Sequence, residues 1–261
     1  MTGKTATKAH KREDDVVARF SEKLHKRMGA LYWGGDDHPN FAATPLGGQD
    51  WELADYLLAG IGQYCLIEFK ADEDSAVSEN RKPLRIKLCE KLQAQSALHA
   101  QAEDCHFLCW GEKKIEYVPS LSTHETVLWE SLAAYPGKVC PLLGYEMPPS
   151  VFDAMTEYEF IDKFISSELV GAPAVRFEEY VGELYKIAGA DEKTGKGGFQ
   201  GTVYVYIPQD SESPAKLLAV EFTGIQHLFR LTKEKGLKKE VGKEKAAEKE
   251  NKKGKGMELG F

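Results

Sequence analysis

Three residues at the end of one apolar run carry side chains that could do chemistry together. The run "LIEFK" places Glu68 and Lys70 two positions apart, and side chains two apart in a strand point to the same face of a sheet. Asp55 lies one segment earlier, in "ADYLLAGIG". A hairpin turning at "GIG" would bring the Asp55 carboxylate to the same sheet edge as Glu68 and Lys70.

Two carboxylates and one ammonium suit the hydrolysis of a phosphodiester. Carboxylate oxygens are ligands that Mg²⁺ prefers, and a bound divalent ion lowers the pKa of its water and offsets charge on a phosphate. A nearby lysine orients the attacking water or stabilises the developing charge. The simpler alternative is a solvated strand end, with Asp55 as an edge charge that prevents further strand pairing.

In these residues the chain resembles the PD-(D/E)xK, or restriction-endonuclease-like, nucleases. The matching segments are "ADYLL", with Ala54 where proline is usual, and "IEFK". The resemblance covers roughly residues 13–120. It implies a nuclease that uses Mg²⁺ or Mn²⁺ and cuts DNA rather than RNA, in restriction, repair or phage defence. It also implies catalytic roles for Asp55, Glu68 and Lys70, with Asp55 and Glu68 as the metal ligands.

Members of this superfamily often add polar residues from the helices on either side of the E-x-K strand. Glu13 and Glu22 are the first-helix candidates, although a solvated helix charge is the simpler interpretation of both. Gln95 and His99 are candidate substrate-binding residues, because they share the face that Leu88 turns inward. A buried His or Gln with satisfied hydrogen bonds is the alternative for this pair.

Hydrophobic periodicity predicts the elements that would position these groups. The predicted elements are a helix over 14–31, strands over 51–59 and 63–71, one long helix from Pro83 to about Ala102, strands "HFLCWGE" and "KKIEYVPS" with a turn near Glu112–Lys114, two acidic aromatic helices, and a strand pair "FQGTVYVYI" and "KLLAVEFTGI". This order predicts an α/β fold with a mixed sheet flanked by helices.

The same pass along the chain divides it into four parts. They are a disordered basic arm (1–12), a nuclease-like core (13–143), an accessory α+β region (144–232) and a low-complexity, disordered Lys/Glu tail (233–261). The sequence does not decide whether the accessory region is a separate subdomain or the outer layer of the core.

Composition restricts the class of protein. Hydrophobic residues make up 42% of the 261 positions, enough for a core, while no apolar run approaches the roughly 18 residues of a membrane span. Five cysteines without a C-x-x-C pair predict a reducing, cytoplasmic protein with no disulfide framework and no zinc site.

Charge is distributed unevenly along the chain. The net charge is −7, yet residues 1–12 carry four cations and no acid, and residues 233–256 carry ten lysines against five glutamates, so the rest holds −16. We therefore expect nucleic acid to meet basic ends first, and a protein partner or a homo-oligomer to assist the acidic body. The alternative function is a non-catalytic adaptor whose acidic aromatic helices, around 151–166 and 175–188, bind protein partners.

Overall fold

The computed structural model describes residues 3–32, 41–46, 54–60, 62–166, 168, 170–189, 200–207 and 216–232. The helices are α1 (Gly3–Tyr32), α2 (Pro83–Ala94), α3 (Ser96–Cys105), α4 (Tyr135–Val139), α5 (Glu157–Ser166), α6 (Ala174–Ala188) and α7 (Ile225–Thr232). The strands are β1 (Phe41–Pro45), β2 (Tyr56–Gly60), β3 (Gln63–Lys70), β4 (His106–Val118), β5 (Thr123–Ala134), β6 (Met155–Thr156), β7 (Ala172–Pro173), β8 (Gln200–Ile207) and β9 (Lys216–Thr223). Short 3-10 helices span Glu73–Arg81 and Cys140–Leu143.

These strands form one mixed sheet with helices on both faces, which confirms the predicted α/β class. Its order is β6-β5-β4-β3-β2-β1-β8-β9, with β7 pairing the start of β3. Strand β2 runs antiparallel to β3, and β4 runs parallel to β3. A parallel neighbour needs a crossover connection, and α2 and α3 supply it between β3 and β4.

Alternation along β3 separates the two helical layers. Phe69 faces α1, where its ring lies 5.6 Å from that of Phe20. Tyr64 points the other way and packs on Phe177 of α6 and Phe229 of α7. Glu68 and Lys70 share the Tyr64 face, because side chains in a strand alternate. The two polar residues therefore lie on the side of the sheet that α2 covers.

Helix α1 begins well before the predicted residue 14. Residues 3–12 are helical and belong to the same continuous element as Phe20, so the prediction of a disordered basic arm is wrong. Alanine and lysine, which dominate this segment, are strong helix formers. Its later turns are held by Val16, Phe20 and Leu24, whose side chains are buried. The apolar periodicity predicts Phe20 and Leu24 on this stripe, but it predicts Val17 where the structure buries Val16.

The region from 83 to 118 differs from the prediction in two ways. The expected long helix breaks at Gln95, whose extended backbone separates α2 from α3. The expected turn near Glu112–Lys114 is absent from the structure, and β4 continues to Val118 as one strand paired along its length with β5. Chain reversal occurs at 119–122, where Ser122 takes a positive φ of 56°.

The accessory region joins the same sheet as the rest of the chain. Strand β8 pairs with β1, and Val203 and Phe222 belong to the hydrophobic core that also contains Phe20. Gly201 permits this close packing, since a Cβ there would lie 2.8 Å from Thr44 Cγ2 and 2.9 Å from the Phe222 ring. The predicted strand pair is confirmed, and it extends the core sheet.

The cysteines depart from the prediction. Cys89 of α2 and Cys140 form a disulfide, which corrects the expectation of thiols alone. Cys65, Cys105 and Cys109 are free and fully buried, and burial raises the pKa of each thiol. Within the described ranges, no helix has the length and apolar character needed to cross a membrane. The predicted Lys/Glu tail, 233–261, lies outside those ranges.

Candidate active site

The site lies where the β2–β3 ladder ends. The last paired residues are Tyr56 and Ile67, so Asp55 lies opposite Glu68 one step further along. The Phe69 amide donates a hydrogen bond of 2.6 Å to Asp55 Oδ2. This bond fixes the Asp55 carboxylate against the end of β3 and realises the convergence that the hairpin predicted.

Glu68 and Lys70 are buried at this point rather than solvated. Glu68 is inaccessible to solvent and Lys70 is 3% exposed. The Lys70 ammonium lies 3.3 Å from Glu68 Oε1 and donates to the Phe69 carbonyl at 2.8 Å. A strand end with merely solvated charges would leave these side chains in water, so the structure does not fit that alternative.

Four further residues complete a buried ion cluster that the sequence analysis did not assign. Arg85 of α2 donates to Glu68 Oε2 at 3.0 Å and lies 3.3 Å from Glu79 Oε2. Lys82 contacts Glu68 and lies 3.1 Å from Glu79 Oε1. Tyr135 donates to Glu79 Oε2 at 3.2 Å. The signal in the sequence was "ENRKPLR", which spaces Glu79, Lys82 and Arg85 three residues apart.

The first-helix glutamates behave differently from each other. Glu13 of α1 reaches the cluster, with its Oε1 3.5 Å from the Lys70 ammonium. Glu22 is exposed and pairs with Lys26 at 2.7 Å. The expectation of a solvated helix charge is thus correct for Glu22 and wrong for Glu13.

Gln95 and His99 lie apart from this cluster. Gln95 is exposed at the break between α2 and α3. His99 is buried, with its Nε2 4.0 Å from Glu103 Oε1. Among the described residues, no hydrogen bond or ion pair joins either side chain to the cluster. Their substrate-binding role stays a prediction, and the helix break at Gln95 removes the shared face on which it rested.

The charges in the cluster perturb one another strongly. Burial, and then the charge of Glu68, raise the pKa of Asp55 to about 7, against the opposing effect of Lys70 and Lys82. Burial also disfavours the Glu68 carboxylate, but Arg85 and the two lysines together hold its pKa well below its usual range. Asp55 is therefore the carboxylate whose negative charge is least compensated.

Burial lowers the affinity of Lys70 for its proton, yet Glu68 and Glu79 outweigh it and raise the pKa of Lys70 above its ordinary value. Lys70 consequently stays protonated at any physiological pH. It can act as a fixed positive charge but not as a general base.

Asp55 and Glu68 are the residues of this cluster that would hold a divalent cation. Burial and then the charge of Glu68 raise the pKa of Asp55, and a cation at its carboxylate would offset both effects. Both oxygens of Glu68 already contact cations, namely Lys70, Lys82 and Arg85. In the described part of the chain, no group of three or more His, Cys, Asp or Glu side chains is placed to hold a metal ion. Asp55 and Glu68 would thus supply two ligands and water the others, an arrangement that Mg²⁺ accepts.

The acidic aromatic helices offer little of the surface predicted for an adaptor. The aromatic side chains of α5 and α6 that would anchor a partner are buried against the sheet: Phe160, Phe164, Phe177, Tyr180 and Tyr185. Tyr158 remains exposed, at 48%. Most of the apolar character of these helices therefore serves the core.

Comparison of the chain with protein-family models, with curated proteins and with solved structures found no match in any of the three.

Proposed function

We propose that this protein is a metal-dependent nuclease of the PD-(D/E)xK type that hydrolyses phosphodiester bonds in DNA. The observation that carries the proposal is the convergence of Asp55, Glu68 and Lys70 where the β2–β3 pair ends. The path of the chain supports it, since a hairpin, a helical crossover and a strand parallel to β3 follow the order that the resemblance implies.

The acidic and basic residues of the site would have different catalytic roles. Asp55, which is half-buried, and Glu68 would hold Mg²⁺ or Mn²⁺. The bound ion would supply an acidified water and offset charge on the phosphate. Lys70 remains protonated and stabilises negative charge that develops nearby, because its ammonium is fixed by four oxygen atoms.

The surrounding ion pairs would keep this constellation rigid. Arg85 holds both Glu68 and Glu79, while Tyr135 binds Glu79 from the side of α4. A catalytic group works best when its rotamer is fixed by neighbours of this kind. Arg85, Glu79 and Tyr135 are accordingly positioning residues.

The test is cleavage of plasmid, linear and single-stranded DNA by the purified full chain, with Mg²⁺ and with EDTA. Asp55→Asn and Lys70→Met should each reduce the rate about 100-fold or more, since each removes charge from the reacting centre. Glu22→Gln, which alters an exposed first-helix carboxylate, should cut at the wild-type rate.

Circular dichroism must show that each variant is folded. Wild-type rates in folded Asp55→Asn, or equal cleavage in EDTA and Mg²⁺, would refute the proposal. Cleavage of RNA in place of DNA would overturn the choice of substrate while leaving the chemistry.

A further inference from the structure

A groove of about 560 Å³ is lined by residues of α1, β4 and β5. They include Arg12 and Arg19 of α1, Lys113 of β4 and Leu128 of β5. Ala71, which directly follows Lys70 in the chain, also lines it. Alternation places Lys113 on the Phe69 face of the sheet, opposite to Glu68. The groove and the ion cluster are therefore close to each other at the end of β3 but lie on different faces of the sheet.

The groove offers free positive charge. Arg12 and Lys113 are exposed and make no ion pair with any described residue, whereas Arg19 is bound to Glu130.

The acids in the groove are partly engaged elsewhere. Glu112 pairs with Lys114 at 3.1 Å and accepts a hydrogen bond from the Trp110 indole. Asp72 accepts from the Ser75 amide at the start of a 3-10 helix. Asp15 is the acid that would oppose a bound anion. Among the residues that line the groove, three cations (Arg12, Arg19 and Lys113) are balanced by three acids (Asp15, Asp72 and Glu112), so a phosphate would be held by direct contact with Arg12 and Lys113 rather than by a net positive charge.

A two-stranded arm, residues 111–130, extends the groove away from the sheet. Pairing of β4 with β3 ends at Trp110, so beyond that point β4 pairs only with β5 among the described strands. Alternation places Lys113, Ile115 and Tyr117 on one face of the arm. Lys113 lines the groove, which makes this face a continuation of its wall.

This face of the arm exposes flat and apolar side chains. Ile115 is 77% exposed and Tyr117 is 54% exposed. The Tyr117 ring lies 5.4 Å from that of His124, its partner across the hairpin. Ile115, Tyr117 and His124 thus form an exposed surface on which a flat ligand could stack.

We propose that the groove and this face of the arm bind a single-stranded segment of the nucleic acid substrate. Unpaired bases stack on Tyr117 and His124, and phosphates contact Lys113 and Arg12. Stacking platforms that alternate with cations are the chemistry by which proteins bind single strands, and a duplex hides the base faces that such a platform needs. This inference rests on the proposed nuclease function, because the groove adjoins the strand end that carries that site.

The experiment measures binding without cleavage. Fluorescence anisotropy of a labelled 20-nucleotide oligo-dT and of a 20-base-pair duplex is followed with the full chain in EDTA, at 50 and 200 mM salt. The wild type should bind the single strand more tightly. Tyr117→Ala should weaken that binding about tenfold, and Lys113→Ala should weaken it several-fold and reduce its salt dependence.

Val175→Ala is the control, because Val175 is an apolar side chain of α6 with 68% exposure, and α6 packs against Tyr64 on the other face of the sheet from Lys113. It should bind as the wild type does. Equal affinities for Tyr117→Ala and Val175→Ala would overturn the inference, as would preference for the duplex. A shift of Tyr117→Ala from dimer to monomer in gel filtration, with oligo-dT binding unchanged, would also overturn it and assign the arm to protein contacts.

The two proposals fail separately. If cleavage depends on Asp55 but oligo-dT binding does not depend on Tyr117, the arm does not bind substrate and the proposed nuclease function still holds. Binding that needs Tyr117, without cleavage in Mg²⁺ or Mn²⁺, would refute the nuclease and keep the arm as a single-strand binding surface.

Discussion

Replacing Asp55 by Asn should make the protein more stable at pH 8 and inactive as a nuclease. The ionised Asp55 carboxylate is held beside Glu68 in a half-buried position, and its pKa is raised to about 7 from an ordinary value of 3.8. Asn removes the charge and keeps an oxygen to accept the hydrogen bond from the Phe69 amide. The substitution thus relieves repulsion without losing the contact that orders the strand end.

Proton linkage gives the direction of this change in stability. A carboxylate whose pKa is higher in the folded state binds its proton more tightly there, so its contribution to stability is greatest below pH 3.8 and is lost as pH rises toward 7. The pKa of Asp55 differs by about three between the unfolded and the folded protein, and each pKa unit corresponds to about 1.36 kcal/mol. The loss of stability caused by ionised Asp55 therefore has an upper limit of roughly 4 kcal/mol. Because Asp55 retains some solvent contact, we expect about 2 kcal/mol of added unfolding free energy at pH 8.

Urea unfolding followed by circular dichroism at pH 4.5, 6 and 8 measures this gain. The gain should be smallest at pH 4.5, where part of it is already present, and largest at pH 8. Asp153→Asn, at an exposed aspartate, should change stability by less than about 0.5 kcal/mol at every pH. A gain that does not depend on pH, or a loss of stability at pH 8, would show that burial and the charge of Glu68 do not raise the pKa of Asp55.

Three further outcomes are expected. Burial lowers the pKa of His106 to about 3. The unfolding free energy of the wild type should therefore fall by up to about 1.4 kcal/mol per pH unit as pH drops from 6.5 toward 3. His106→Gln should reduce this pH dependence in urea unfolding. Lys82→Met should tighten Mn²⁺ binding in calorimetry at least about tenfold, since the Lys82 ammonium competes for Glu68; the exposed Lys87→Met is its control, and unchanged affinity would contradict the idea. Deleting 233–261 should weaken DNA binding and reduce its salt dependence; an unaltered salt slope would leave the tail without this role.

Local pattern was sufficient to predict the core of the site. The apolar run up to Phe69 and the "GIG" turn indicated a hairpin of β2 and β3, although β2 spans Tyr56–Gly60 rather than 51–59, and period-two alternation put Glu68 and Lys70 on one face. These are short-range properties of a hairpin, so they are visible in one segment of sequence. The same holds for Phe20 and Leu24 of α1.

Long-range packing decided what the sequence did not reveal. Tyr135 reaches Glu79 across 56 residues, and Glu13 meets Lys70 across 57. Neither pairing has a local signature. The break at Gln95 contains no Gly or Pro, and the uninterrupted β4 depends on its partner β5 rather than on its own composition.

The net charge of the cluster affects the binding of both the metal ion and the nucleic acid substrate. Its carboxylates are Glu13, Asp55, Glu68 and Glu79, and its cations are Lys70, Lys82 and Arg85. With every group ionised the cluster carries one negative charge, which repels a phosphodiester. A divalent cation bound at Asp55 would make the net charge of the cluster positive, so the cluster would attract a phosphodiester. The effect is strong because burial keeps the effective dielectric of the site low. Divalent ion and DNA should therefore bind with positive coupling, while Asp55→Asn, which neutralises the same charge, should bind DNA more tightly than the wild type in EDTA. Weaker DNA binding by that variant would show that this cluster does not set the charge that the substrate meets.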